Sequence, residues 1–139
     1  MKPRFEEIIR WFESLTPASL TAIASCYALE ARFKDPFNDV RGLPAIERIY
    51  QHMFDTLEQP RFVVESCIAE AERAFVVWRF EFGLRGRAMV IRGGSQLELD
   101  AQGLIVLHHD YWDAAEQVYE HVPVLGTILR LIKRRLAYE

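Results

Sequence analysis

The sequence predicts an α+β domain, with helices packed on one face of a curved antiparallel sheet. Three observations point there. Apolar residues recur at helical spacing through most of the first 57 positions. From residue 61 on, the chain turns to β-rich runs, "RFVVESCIAEA", "RAFVVWRFEFGL", "RAMVIRGGSQLELD" and "GLIVLHHDYW", separated by short turn signals. Within the third run, Gly93-Gly94 reads as a bulge that bends its strand, and a bent strand implies a curved sheet.

Each element has its own warrant. Phe5, Ile8, Ile9, Phe12 and Leu15 make an amphipathic helix over 3–14. Thr16 is a cap and Pro17 suits a first helical position, which starts a second helix running to about Tyr27. Residues 30–34 are a short extended piece, and "DPFNDVRG" after it is rich in turn formers. Ile46, Ile49, Tyr50, Met53, Phe54 and Leu57 form the apolar stripe of the next helix, which Pro60 closes. The four β-rich runs form a meander, because Glu-Arg, Arg-Gly-Arg and Asp-Ala-Gln-Gly are short enough for hairpins. After Asp113, which has capping-box spacing to Glu116, the tail returns to helix, and Pro123 splits it in two.

Totals narrow the function classes. A chain of 139 residues fits one domain, here 1–139, with a core over about 4–113 and a helical tail over 113–137. A net charge of −3 argues against nucleic acid as partner. Cys26 and Cys67 lie in apolar segments outside any C-x-x-C pair and read as reduced core residues of a cytoplasmic protein. "MKPRFEEIIRWF" places acids where a signal peptide needs an unbroken apolar run, and no stretch reaches about 18 apolar residues. A metal site is not expected: His108 and His109 are adjacent and point to opposite faces of a strand, and His52 and His121 are isolated.

Two constellations carry candidate chemistry. Asp35, in "EARFKDPFNDVRG", is either an Asx-turn carboxylate bonded to its own backbone or a base held at the mouth of a pocket. His108, Asp110 and Trp112 share one face of the last strand, with His109 and Tyr111 on the other. An inward His and Asp either pass protons to a substrate or form a buried polar pair that ties the strand down. On the strand before it but one, Trp78, Phe80 and Phe82 cover one face and Val77, Arg79 and Glu81 the other. The tail sets Arg130, Lys133, Arg134 and Arg135 beside Val124, Leu125, Ile128, Leu129, Ile132 and Leu136. Basic residues there oppose the helix macrodipole, and the apolar surface calls for a cover, across a dimer or on the domain itself. An anionic membrane is the weaker alternative.

"YALEARFKDPF" followed by "RGLPAIERIY", with the late "HHDYWD", resembles the nuclear transport factor 2-like superfamily over about residues 4–113. That group includes ketosteroid isomerases, polyketide cyclases, limonene epoxide hydrolase and scytalone dehydratase. The resemblance implies a cone: a strongly curved sheet wrapped around the N-terminal helices and enclosing a deep apolar pocket. It implies that Asp35, in the "D-P-F" position, is the general base of an isomerase-like reaction, and that Trp112 lines the cavity with His108 and Asp110. Where the isomerases carry a first-helix tyrosine and a late-strand acid, this chain has Trp11 and Ser95. These departures argue against steroid isomerisation itself.

The expectation is therefore a domain of the ketosteroid isomerase or polyketide cyclase type that binds a small apolar organic molecule. In one form it is an isomerase, cyclase or dehydratase that needs no cofactor. Asp35 abstracts a proton, His108 oriented by Asp110 returns one, and Trp11, Tyr27, Phe37, Ser95 and Trp112 shape the site. The alternative is a non-catalytic ligand-binding or assembly module on the same fold. A homodimer is expected through the outer sheet face and the tail, where Arg79 and Glu81 are candidates for cross-dimer ion pairs.

Overall fold

A computed structural model describes residues 2–113. The tail helices, the Asp113–Glu116 cap and the basic cluster at 130–135 lie outside the described residues.

The chain opens with α1 (Pro3–Glu13), whose apolar face buries Phe5, Ile8 and Phe12. The second helical segment is a 3-10 helix, Ser19–Ser25, shorter than the one expected up to Tyr27. Its N-cap residue is Ala18 rather than Thr16, but Thr16 still bonds to the first helical residue: the Ser19 N–H donates to Thr16 Oγ1 at 3.1 Å, and Thr16 N–H donates back to Ser19 Oγ at 2.8 Å. β1 (Tyr27–Lys34) follows, then the short β2 (Asp39–Arg41) and α2 (Leu43–Thr56). Pro44 stands in the first turn of α2, where no N–H is needed, and Ile46 and Tyr50 are its buried residues.

β3 (Glu58–Glu70), β4 (Arg73–Leu84), β5 (Arg87–Leu99) and β6 (Ile105–Tyr111) form the expected antiparallel meander. The sheet is larger than the meander, however. Its six strands run β2-β1-β6-β5-β4-β3, with β1 parallel to β6, so it is mixed rather than antiparallel throughout. It curves without closing, with β2 and β3 left as its two edges.

Two local expectations are corrected. Pro60 does not close α2 but lies within β3. An edge strand tolerates proline because one side of its backbone needs no sheet partner. Gly93-Gly94 is not a bulge. Trp78 pairs with Gly93, Val77 with Gly94 and Gly94 with Tyr111, all without a break in register. The glycines are there for clearance. A Cβ on Gly93 would sit 2.6 Å from the Tyr111 carbonyl oxygen, and one on Gly94 would sit 2.5 Å from the Phe75 ring. The register shifts fall elsewhere, between Glu58 and Arg61, between Val64 and Ser66, between Glu98 and Leu99, and between Tyr27 and Arg32. These are where the strands bend.

The concave face of the sheet meets α1, α2 and the 3-10 helix in a core that includes Phe5, Ile8, Tyr27, Ile46, Leu97 and Ile105. Cys26 is buried in this core as a free thiol, while Cys67 is free and only partly buried. On the convex face Arg79 pairs with Glu81 at 2.9 Å, and Glu81 also faces Arg61 at 3.5 Å, all within one chain. Among the described residues, no helix is long and apolar enough to cross a membrane.

Candidate functional site

Between the concave face and the two α-helices lies a cavity of about 350 Å³. That is within the size range of small-molecule sites. β4 supplies Val76, Trp78, Phe80 and Phe82, the inward half of a strict alternation, and α2 supplies Ile49, Tyr50 and Met53. The walls are overwhelmingly carbon.

The polar groups cluster at one place because of strand register. Ser95 on β5 stands directly opposite Asp110 on β6, and Leu97 opposite His108, so Asp110 and His108 face inward two residues apart. His108 is 4% exposed. Its Nε2 lies 2.6 Å from Asp110 Oδ1, and its Nδ1 lies 2.7 Å from the Tyr27 hydroxyl. The Tyr27 hydroxyl is in turn 2.7 Å from that of Tyr50. Beyond Asp110 the chain continues: Ser95 Oγ donates to Asp110 Oδ1, and Trp78 Nε1 donates to Ser95 Oγ at 2.8 Å. Six side chains from β1, α2, β4, β5 and β6 thus form one hydrogen-bonded line.

The donors can be ordered. The indole N–H can only donate, so Ser95 accepts there and spends its own proton on Asp110. Toward the Asp110 oxygen, which already accepts from Ser95, His108 donates through Nε2. A neutral ring then accepts at Nδ1 from Tyr27, whose oxygen accepts from Tyr50. Burial, the largest cause, pushes the phenol of Tyr27 well above its ordinary range, with Tyr50 beside it adding to the rise. Burial likewise raises Tyr50. Both remain proton-bearing donors at neutral pH.

Asp35 lines the same cavity at its rim, along with Phe37 and Trp112, whose rings meet at 5.5 Å. Its carboxylate is engaged in the turn. Oδ1 accepts from the Phe37 N–H at 2.8 Å and the Asn38 N–H at 2.7 Å, and the Asn38 amide reaches both oxygens at 3.1 and 3.2 Å. The Asx-turn reading of Asp35 therefore describes its bonding, while its position remains at the cavity mouth.

The other residues singled out in the sequence divide. Ser95 and Trp112 line the cavity and Phe37 stands at its edge, half exposed. Trp11 and Tyr27 are not among the lining residues. The Trp11 indole N–H points to the Ser19 carbonyl at 3.3 Å, and its ring packs edge-on against Tyr27 and Tyr50. Trp11 thus backs the wall rather than donating into the pocket. Tyr27 acts from behind His108. The sequence marks Tyr50 and Trp78 as helix stripe and strand face alone, and the site uses their polar tips as well. A buried tyrosine hydroxyl or indole N–H seeks a partner, and that was the available signal. Among the described residues, no three His, Cys, Asp or Glu side chains cluster as a metal site requires.

No curated protein matches the sequence. Solved structures share the fold at low identity. An NTF2-like protein of unknown function from Burkholderia pseudomallei superposes with a TM-score of 0.74 at 16% identity, covering 85% of this chain and 96% of that one. An LEH-like epoxide hydrolase from M. tuberculosis gives 0.71 at 11%, covering 94% and 91%. An NTF2-like protein of unknown function from an Exiguobacterium species gives 0.69 at 14%, covering 79% and 98%. The family model of the SnoaL-like domain matches residues 8–108, most of the described chain, and the protein belongs to that family, with a fold it shares with the NTF2-like structures.

Proposed function

We propose that the protein is an enzyme, independent of any cofactor, that moves a proton on a small, largely apolar molecule in an isomerisation, cyclisation or dehydration. The observation carrying this reading is the Asp110 carboxylate at the cavity wall. Oδ1 is held by His108 and Ser95, and Oδ2 has no hydrogen bond among the described residues. A carboxylate oriented through one oxygen and open at the other is built to accept a proton from a bound molecule. In this reading Asp110 takes a proton from a ligand carbon, leaving an enolate. The same acid returns it to another ligand atom, and the ionised Asp110 is restored with no net change in protons. His108 holds the carboxylate through Nε2–H, and Tyr27 holds the imidazole. Asp35, expected from the sequence to be the base, is better supported as the organiser of the mouth, since its oxygens are taken up by the turn.

The non-catalytic alternative has its own support: both ring nitrogens of His108 are satisfied internally, as in a structural network. Deuterium exchange at the α-carbon of 2-tetralone in D2O, followed by NMR, separates the two. Wild type is expected to accelerate exchange, Asp110→Asn to lose about 100-fold or more, and Asp35→Asn to retain most of the rate. Equal exchange by wild type and Asp110→Asn leaves only the binding module. The reading also includes a second copy of the chain, packed on the convex face where Phe75, Val77, Val90 and Tyr111 are exposed.

A further inference from the structure

We infer that this cavity selects ligands by the sign of their polar head: it takes an apolar, ring-sized body carrying a neutral or cationic hydrogen-bond donor, and it rejects carboxylates and other anions. The inference rests on the cavity being the ligand site, as proposed above, but not on turnover.

The argument starts from the charges in the wall. Among the described lining residues the carboxylates are Asp35 and Asp110, and there is no lysine or arginine. The two imidazoles do not reverse the balance. His108 is bonded to Asp110, so a protonated ring would only cancel that one carboxylate. His52, on α2, lines the cavity from its solvent-exposed side, where water and salt screen a charge. An anionic head would enter a low-dielectric space that already holds negative charge and, among the described lining residues, meets no lysine or arginine.

The second observation is the unmet acceptor. The Asp110 side chain is 13% exposed, and its protein donors, His108 Nε2 and Ser95 Oγ, converge on Oδ1. Neither donor is available to a ligand. The Ser95 proton is fixed toward Asp110 because Trp78 donates to its oxygen, and the imidazole is bonded at both nitrogens. The polar end of the cavity therefore presents an acceptor, Oδ2, rather than a donor. A ligand satisfies it with an O–H or N–H. The third observation is the surroundings. Phe33, Phe62, Phe80 and Trp78 offer ring faces and edges, which suit a flat hydrocarbon body and attract a cation more than an anion.

Four probes with one body and different heads test this: 2-naphthol, 2-naphthylmethylamine, 2-naphthoate and naphthalene, titrated calorimetrically at neutral pH into the full chain. The naphthol and the amine are expected to bind at least tenfold more tightly than the naphthoate, with naphthalene weaker than the naphthol. Asp110→Asn should shrink the naphthol-over-naphthoate ratio at least fivefold, as should Ser95→Ala, which takes away the acceptor of the Trp78 N–H and so offers an anion a donor at the cavity wall. Thermal unfolding establishes that each variant is folded, and if Asp110→Asn is not, Ser95→Ala carries the comparison. Naphthoate binding as tightly as naphthol to wild type overturns the inference. So does an unchanged ratio in folded variants. Head selectivity without tetralone exchange would sink the catalytic reading and leave this one standing, and exchange without selectivity would do the reverse.

Discussion

At the scale of single residues, the site depends on protons that stay put. Tyr27 and Tyr50 are buried phenols whose pKa values burial raises, so the folded protein keeps both protons where an unfolded chain releases them near pH 10. The sign follows from proton counts. Above about pH 10 the unfolded state binds fewer protons than the folded state, so stability falls as pH rises. It is fully present below the unfolded pKa and is lost through the folded one. The expected slope is up to about 1.4 kcal/mol per pH unit for each phenol. Urea unfolding at pH 8, 10 and 11 measures it, and Tyr27→Phe should flatten the loss. The part of the tyrosinate absorbance that Tyr27→Phe and Tyr50→Phe remove should rise with unfolding and not before it; early ionisation of that part in the folded state would contradict the buried chain. The inward face of His108 and Asp110 was legible in the sequence because strand alternation is local. The hydroxyls that complete the line were not. Tyr27 meets Tyr50 and His108 only once β1, α2 and β6 are assembled, and no spacing within one element announces that.

At the scale of elements, the strands show which signals survive folding. The period of two in β4 predicted its buried and exposed faces residue by residue, since that pattern depends only on the pleat. Pro60 and Gly93-Gly94 misled because each has two physical uses. Proline ends helices and also suits an edge strand. Glycine permits a bulge and also permits close approach. The edge at β3 is managed by irregularity and charge. Gln59 has a φ of 46°, the register shifts twice, and the Glu13 carboxylate takes the Val64 N–H at 3.0 Å, so a foreign strand finds few regular partners. The two glycines of β5 make separate predictions. Gly93→Ala collides with the Tyr111 backbone and the Trp78 ring, neither of which can withdraw without breaking pairing or the cavity wall. It should cost about 2–3 kcal/mol in denaturant unfolding. Gly94→Ala meets chiefly the ring of Phe75, which is partly exposed and can swing outward, with the Val76 carbonyl oxygen farther off at 3.3 Å, and it should cost clearly less. Equal costs would mean that clearance is not what these positions are for.

At the scale of the whole molecule, the curved sheet separates two surfaces with different tasks. The concave side holds the cavity. The convex side leaves apolar residues in the open, with the Phe75 and Tyr111 rings 6.3 Å apart across Gly94 and Val77 next to them. Such a patch on an otherwise charged face is the reason for placing a second copy there. Val77→Glu should convert a dimer to a monomer in light scattering while leaving naphthol binding within twofold. A wild type that runs as a monomer at 100-fold dilution and at high concentration alike removes the second copy from the account. The α+β class and the meander could be read from sequence because they rest on local pattern and hairpin length. The parallel β1–β6 pairing could not, because it joins segments from opposite ends of the core.

That pairing sets the timing of maturation. Of the described strands, the one carrying His108 and Asp110 emerges from the ribosome after the others, and it must slot between β1 and β5, both made earlier. Until it arrives, a nascent chain can form its hairpins and helices but leaves a gap in the middle of the sheet, with unpaired backbone on either side. The residues proposed for chemistry thus double as the keystone, and a truncated product would be both inert and exposed to chaperones and proteases.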